Sequence, residues 1–426
     1  MKTAYKNGYI LNGERDMTPL AGHAVLVDGN RIADVVPDEA VPQGYETVDL
    51  HQSYIMPGLI NLHVHIPASG KPKKNPMDTK KLVRTLTGNS VMRKVLERIY
   101  VNFARTELMS GVTTIRTVGG IMSYDTWLRD RIAAGKILGP RVLASNMAVS
   151  VPEGHMAGSL AYEASTAEDA SAYVQRIAAD SPDLIKLMIT GGVLDAIKRG
   201  EPGILKMKSE LVKAACDEAH RLGLPVAAHA ESTEGVLVAL KNGVDTIEHG
   251  AAPNHEMLQL FKERGSALVT TISPALPYAL FDLSVSHCGE VAQYNGKIVM
   301  DGIISCAKAC LEHEISVGLG TDTGCPFVTH YGMWRELAYF EKYCGVSRSF
   351  ALFTATKGNA EIAGLGDVTG SIHPGKEADM IVTVQNPLEN LRALRDVEMV
   401  VVRGKRIDAP RVKKMAKVES QLDKYL

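Results

Sequence analysis

Short apolar runs alternate with longer amphipathic stretches through the middle of the chain. Eight of the runs read as strands: residues 56–65, 113–118, 141–145, 184–189, 225–230, 244–249, 267–271 and 316–322. Helical periodicity lies between them, near 91–110, 167–179, 208–222, 233–242, 254–264 and 298–314. Short apolar strands separated by helices predict parallel strands buried on both faces. About 300 residues over eight such units suits a (β/α)8 TIM barrel. An open, doubly wound sheet is the alternative; it would usually carry a Gly-rich phosphate turn after its first strand, and none is present.

The two ends have a different texture, with short strands and frequent turns. Asn12-Gly13 is a hairpin signal, and Asp28-Gly29-Asn30 separates the runs 23–27 and 31–36. The same pattern returns at 378–384 and 397–407. Both termini are expected to build one small β-sandwich-like domain, 1–56 together with 366–412. The barrel is expected to occupy 57–365, and 413–426 to form a tail, with a polar helix from about residue 411.

Composition narrows the function classes. Hydrophobic residues make up 45% and charged residues 22%, ordinary for a globular protein. A formal charge of −1 gives no general attraction to nucleic acid or anionic membrane. The start of the chain lacks the apolar core of a signal peptide, and no apolar stretch reaches the roughly 18 residues of a membrane helix. The six cysteines follow no zinc-finger or disulfide-framework spacing. A cytoplasmic homo-oligomer acting on a small molecule is expected, with no nucleic-acid or membrane partner.

Candidate chemistry gathers at the strand ends. His63 and His65 lie two apart on a strand and so share a face, from which both can reach one ion. With 13 histidines in 426 residues, about 0.4 such pairs arise by chance, so the pair alone also fits a core strand with two satisfied histidines. His229 ends the fifth strand, Glu248-His249 the sixth and Asp322 the eighth, while Lys186 interrupts the apolar fourth. Active sites of such barrels lie at the C-terminal strand ends. Imidazole nitrogens with a carboxylate suit zinc and related metals. Any one of these histidines could be a satisfied core residue, and Lys186 a snorkelling lysine.

This set resembles the amidohydrolase superfamily. The His-x-His pair on strand one is matched by His63 and His65, the strand-four lysine by Lys186. His229 and His249 match the histidines after strands five and six, and Asp322 the strand-eight aspartate. Leu184-Ile185-Lys186 with Thr190-Gly191-Gly192, His229-Ala230 and Ile247-Glu248-His249-Gly250 resemble the prolidase and imidazolonepropionase-like branch. The resemblance covers roughly residues 1–410. It implies two divalent ions, zinc, held by these six residues and bridged by a carboxylated Lys186. A neutral buried amine can take up carbon dioxide to become such an anion.

The expected reaction is hydrolysis of an amide by metal-activated hydroxide, with Asp322 carrying the proton to the leaving nitrogen. The substrate is expected to be a dipeptide of Xaa-Pro type or an N-acyl amino acid. A cyclic amide hydrolase or a deaminase is the runner-up, and a non-catalytic scaffold the reading from another class. Substrate contacts are less legible. His155, in Pro152-Glu153-Gly154-His155-Met156, resembles a substrate-facing histidine of the branch but also fits an ordinary loop. Residues 273–297, with Tyr278, are expected to form a loop over the pocket. Lys71, Lys73, Lys74, Lys80 and Lys81 read as a solvated basic patch or a carboxylate lure. Glu231 stands where peptide-cleaving members of the branch carry a tyrosine, and is expected to meet a substrate ammonium or a lysine.

Overall fold

The structure is a computed structural model that describes residues 2–72 and 78–426. Lys73 and Lys74 of the basic patch lie outside the described residues. The chain forms two compact units. One comprises Met1–Leu62, Ala104–Ile115 and His330–Leu426, the other His63–Phe103 and Arg116–Thr329.

The first unit contains two sheets drawn from both ends of the chain. A four-stranded sheet runs Arg31–Pro37, His23–Asp28, Lys2–Lys6, Glu46–Asp49. A six-stranded sheet runs Lys405–Asp408, Met399–Val402, Met380–Thr383, Tyr54–Pro57, Tyr9–Ile10, Leu20–Ala21. Alternate side chains of both face a common core of Tyr5, Val25, Val27, Ile55, Met380, Val382 and Val401. This is the sandwich expected from the terminal strands. Asn12-Gly13 is not a two-residue hairpin, because Tyr9–Ile10 pairs with Leu20–Ala21 across a longer connection. The Asn12 side chain instead accepts from the Glu14 amide at 2.9 Å, an Asx turn.

The barrel strands follow the expected order: Leu59–Val64, Val112–Thr117, Arg141–Leu143, Ile185–Met188, Val226–Ala230, Thr246–His249, Ala267–Thr270 and Val317–Leu319. Strands four to eight pair in parallel in sequence order. The ring closes where Val64 bridges Thr323 and the His65 amide donates to the Thr323 carbonyl at 3.0 Å. Between strands three and four the Asp183 amide donates to the Ala144 carbonyl at 2.8 Å. Three of the helices between strands start at side-chain caps: Thr166, Ser232 and Asn254 each accept from an amide of the first turn.

Three expectations need correction. The opening run 56–65 is two strands, not one. It breaks at Gly58, whose added Cβ would lie 2.2 Å from Thr113 Oγ1; Met56 and Pro57 pair with Met380–Thr383 instead. Residues 273–297 are not a loop. They form helices Ile272–Leu280 and Leu283–Ser286 and the start of helix Glu290–Glu312. Pro274 lies in a first turn, whose amides have no intrahelical partner, and burial of Ile272 through Ala279 offsets the bond lost at Pro277. The tail helix spans only Ala416–Leu422, and it buries Val418 and Leu422 rather than being polar throughout. No helix of the described residues is long and apolar enough to cross a membrane.

Candidate metal centre

Strand register brings the polar residues together. Met188 aligns with His229, and His229 with Glu248, so Lys186, His229 and Glu248 share one face across three strands. Lys186 aligns with Ala227, a small neighbour that leaves room for a long side chain. His249 and Asp322, at the ends of strands six and eight, both have left-handed backbone, with φ of 72° and 56°. Neither residue type adopts this region freely, so the fold holds strain where these side chains emerge. Gly320 lets strand eight approach strand one; a Cβ there would lie 2.4 Å from the His63 Cβ.

Each histidine ring is fixed from behind. Glu248 Oε2 lies 2.8 Å from His63 Nδ1, while Arg116 Nη2 donates to Glu248 Oε1 at 2.6 Å. Thr246 Oγ1 donates to the same oxygen at 2.8 Å. Burial alone would raise the Glu248 carboxyl, but Arg116 and His63 hold it well below its ordinary range. An ionised carboxylate only accepts, so His63 Nδ1 carries the hydrogen. The same holds for His65, whose Nδ1 donates to the Gly119 carbonyl at 2.9 Å. Thr271 Oγ1 holds His249 Nδ1 at 2.6 Å, and His229 Nε2 faces the Gly191 carbonyl at 3.4 Å. Burial lowers His63 to about 4 and pushes His229 and His249 well below the usual imidazole range. These three rings are therefore neutral near pH 7.

The second ring nitrogens of His63 and His65 converge on one carboxylate. His63 Nε2 and His65 Nε2 face Asp322 Oδ1 at 3.4 and 3.2 Å. His63, neutral with its hydrogen on Nδ1, turns a lone pair toward this carboxylate oxygen, an arrangement that repels unless a cation lies between them. Two ligands bound tetrahedrally at about 2.0–2.1 Å stand roughly 3.3 Å apart, which matches both distances. Ligand atoms of His63, His249 and Asp322 lie within 4.8 Å of one another, as do those of His229, Glu231 and His249. Lys186 is 1% exposed, its Nζ has no hydrogen-bond partner, and burial lowers its pKa to about 8. An orphaned buried amine beside a carboxylate-histidine cluster fits a group that the protein atoms alone do not supply.

The substrate-side candidates also converge. His155 stacks on His229, with ring centroids 4.4 Å apart and planes 10° from parallel. Asp195 Oδ2 holds its Nδ1 at 2.6 Å and also accepts from the Gly192 amide at 2.8 Å. Tyr278 is buried on its helix, and burial, with Cys325 and Asp322 nearby, raises its hydroxyl well above the ordinary value. Cys325 Sγ donates to Asp322 Oδ2 at 3.4 Å. Glu231 does not reach a lysine: its Oε2 is buried without a hydrogen-bond partner, and burial raises its carboxyl to about 8. Sequence reasoning missed Arg116, Thr271 and Asp195, and gave Glu248 no role. Glu248 had the one available signal, an acid inside an apolar strand next to a candidate ligand.

Known proteins share this architecture. The chain is similar to the crystal structure of a candidate prolidase from Bifidobacterium longum, with 36% identity and a TM-score of 0.88 over 99% of this chain and 98% of that one. It is also similar to the structure of a Xaa-Pro dipeptidase with methionine in its active site, at 28% identity and a TM-score of 0.84, covering 96% of this chain and all of that one. The Aspergillus niger ochratoxinase is 24% identical over 92% of this chain and 83% of the relative. The amidohydrolase family model matches residues 54–407. The chain therefore belongs to the amidohydrolase family, metal-dependent hydrolases acting on carbon–nitrogen bonds.

Proposed function

We propose that this chain hydrolyses the amide bond of a dipeptide of Xaa-Pro type or of an N-acyl amino acid. In this reading His63, His65, Lys186, His229, His249 and Asp322 hold two zinc ions, with Lys186 carboxylated. The observation that carries it is the convergence of His63 Nε2 and His65 Nε2 on Asp322 Oδ1, at 3.4 and 3.2 Å. Similarity to a Xaa-Pro dipeptidase and to a candidate prolidase supports the substrate class. The orphaned Lys186 amine, buried beside this cluster, supports its carboxylation.

Zinc bound here would polarise a carbonyl oxygen and acidify a water molecule. The chain's own residues supply the rest. Asp322 takes a proton from the attacking water and delivers it to the leaving nitrogen, which departs as an amine rather than as an amide anion. Its Oδ2 is anchored by the Cys325 thiol, so the carboxylate keeps its orientation through that transfer. Glu248, Gly119 and Thr271 fix the histidine rings from behind, which limits reorganisation during the reaction. Asp195 accepts from His155 Nδ1 and so fixes the orientation of the ring that stacks on His229. Tyr278, buried beside Asp322 and Cys325, closes the pocket on the side of helix Ile272–Leu280.

The test is a panel of Xaa-Pro dipeptides, N-acyl amino acids, cyclic amides and amino-heterocycles, incubated with zinc-loaded protein and read by mass spectrometry. Two fragments from one linear amide are expected. Ring opening or ammonia release as the only reaction would move the assignment to a cyclic amide hydrolase or a deaminase. No product from the whole panel would overturn it.

A further inference from the structure

Glu231 is an acid with no matching cation. Its backbone is fixed, because its amide donates to Thr190 Oγ1 at 3.1 Å. The Val193 amide favours the charged carboxylate, against a larger opposing effect of burial, while Oε2 is buried with no partner. Gly203 packs against its carbonyl so closely that a Cβ would stand 2.5 Å away. Thr190 and the Gly203 segment thus fix the backbone from which the side chain projects. A buried acceptor left without a donor is destabilising, more so when it is charged. Such a cost persists where something outside the chain's own atoms meets the group.

What meets it is indicated by its neighbours. A carboxylate oxygen of Glu231 lies with ligand nitrogens of His229 and His249, all within 4.8 Å of one another. The His229 and His249 rings are 4.7 Å apart, edge to face. Glu231 supplies the third group of the cluster. His63, His65 and Asp322 repeat the composition, two imidazoles and one carboxylate. Two imidazoles and one carboxylate make a catalytic metal site that leaves a position open.

Resting on the two-ion reading above, we propose that Glu231 is a direct ligand of the ion held by His229 and His249. Each ion then has its own carboxylate, Asp322 for one and Glu231 for the other, and a carbamate on Lys186 serves as the bridge. Formally, these three anions leave one of the four positive charges, which a bound hydroxide would cancel. Glu231 is thus not the contact for a substrate ammonium that its place in the sequence suggests.

Zinc is titrated into metal-free wild type, Glu231→Gln and Asp195→Asn against a chelating dye, and bound metal is then counted by plasma mass spectrometry. Wild type and Asp195→Asn are expected to hold two equivalents. Glu231→Gln keeps the shape and one polar atom but loses the charge. It is expected to hold one tight equivalent and bind the second at least about 100-fold more weakly, since even outer partners of metal ligands are worth 10–100-fold. A thermal melt of each metal-free protein confirms that the variant folds. If it does not, Glu231→Asp, which keeps the charge but draws it back, is expected to weaken the second equivalent alone. Two tight equivalents in Glu231→Gln would overturn the proposal, and a selective loss of rate on free-amine substrates alongside them would assign Glu231 to the substrate. No tight zinc in wild type would overturn the two-ion reading itself, a distinguishable outcome.

Discussion

Glu248 Oε2 lies 2.8 Å from His63 Nδ1, and this contact sets which nitrogen of His63 faces the centre of the barrel. The acid is fully buried and is itself held by Arg116 and Thr246. Removing one member of a buried ion pair leaves the other uncompensated, at a cost of about 3–5 kcal/mol. Glu248→Ala is therefore expected to lose about that much stability by denaturant unfolding of the metal-free protein. Its zinc affinity is expected to fall about 10–100-fold as His63 is freed to turn. Wild-type stability and zinc affinity in the variant would contradict this role.

Asp195 acts through His155 rather than on the ions. Asp195→Asn is expected to lower kcat/KM on the best amide by about 100-fold, the scale of a misplaced reacting group. Its zinc content should be unchanged. Loss of zinc in this variant would place Asp195 in the metal centre instead.

Gly320 tests the closeness of strands one and eight. A methyl group there would collide with the Cβ and amide nitrogen of His63, at 2.4 and 2.7 Å. Gly320→Ala is expected to cost at least about 1–3 kcal/mol, the usual cost of overpacking, and to weaken zinc binding with it. A melting temperature equal to wild type would show that the strands separate freely.

The sandwich unit carries a pH-dependent tie. Lys357 Nζ donates to Glu14 at 2.7 and 2.9 Å, and His373 Nε2 lies 2.9 Å from it. The Lys357 and His373 contacts lower the Glu14 carboxyl from its ordinary 4.5. A depressed carboxyl contributes stability above the unfolded value, and loses it as pH falls through the lower folded value. The side chain is 35% exposed, so screening keeps the contribution under about 1 kcal/mol. Glu14→Gln should destabilise slightly at pH 6–7 and match wild type well below pH 4. An equal difference at both ends would show that the tie is not ionic.

Residues whose chemistry is declared by type and local position were legible in the sequence. His63 and His65 share a strand face, and Lys186 stands out in an apolar run. His229, His249 and Asp322 each close a strand. The barrel itself followed from apolar periodicity. What local pattern could not show was pairing across distance. Arg116 and Glu248 meet across a sequence separation of 132 residues, and Asp195, which reaches His155, is placed by the Gly192 turn. Ile272–Leu280 read as a loop because two prolines outweighed its burial. Gly58 looked like the start of one strand because its contact with Thr113, 55 residues away, has no local signature. Glu231 was noticed for replacing a tyrosine, yet its position beside His229 and His249 is a property of the folded strand ends.

The most direct measurement is a zinc titration of metal-free protein, reading the rate of cleavage of the best linear amide against zinc equivalents. The rate should rise from near zero and saturate at two equivalents, and Asp322→Asn should stay near zero throughout. Full activity in the metal-free protein, or a rate indifferent to Asp322, would contradict hydrolysis at this metal centre.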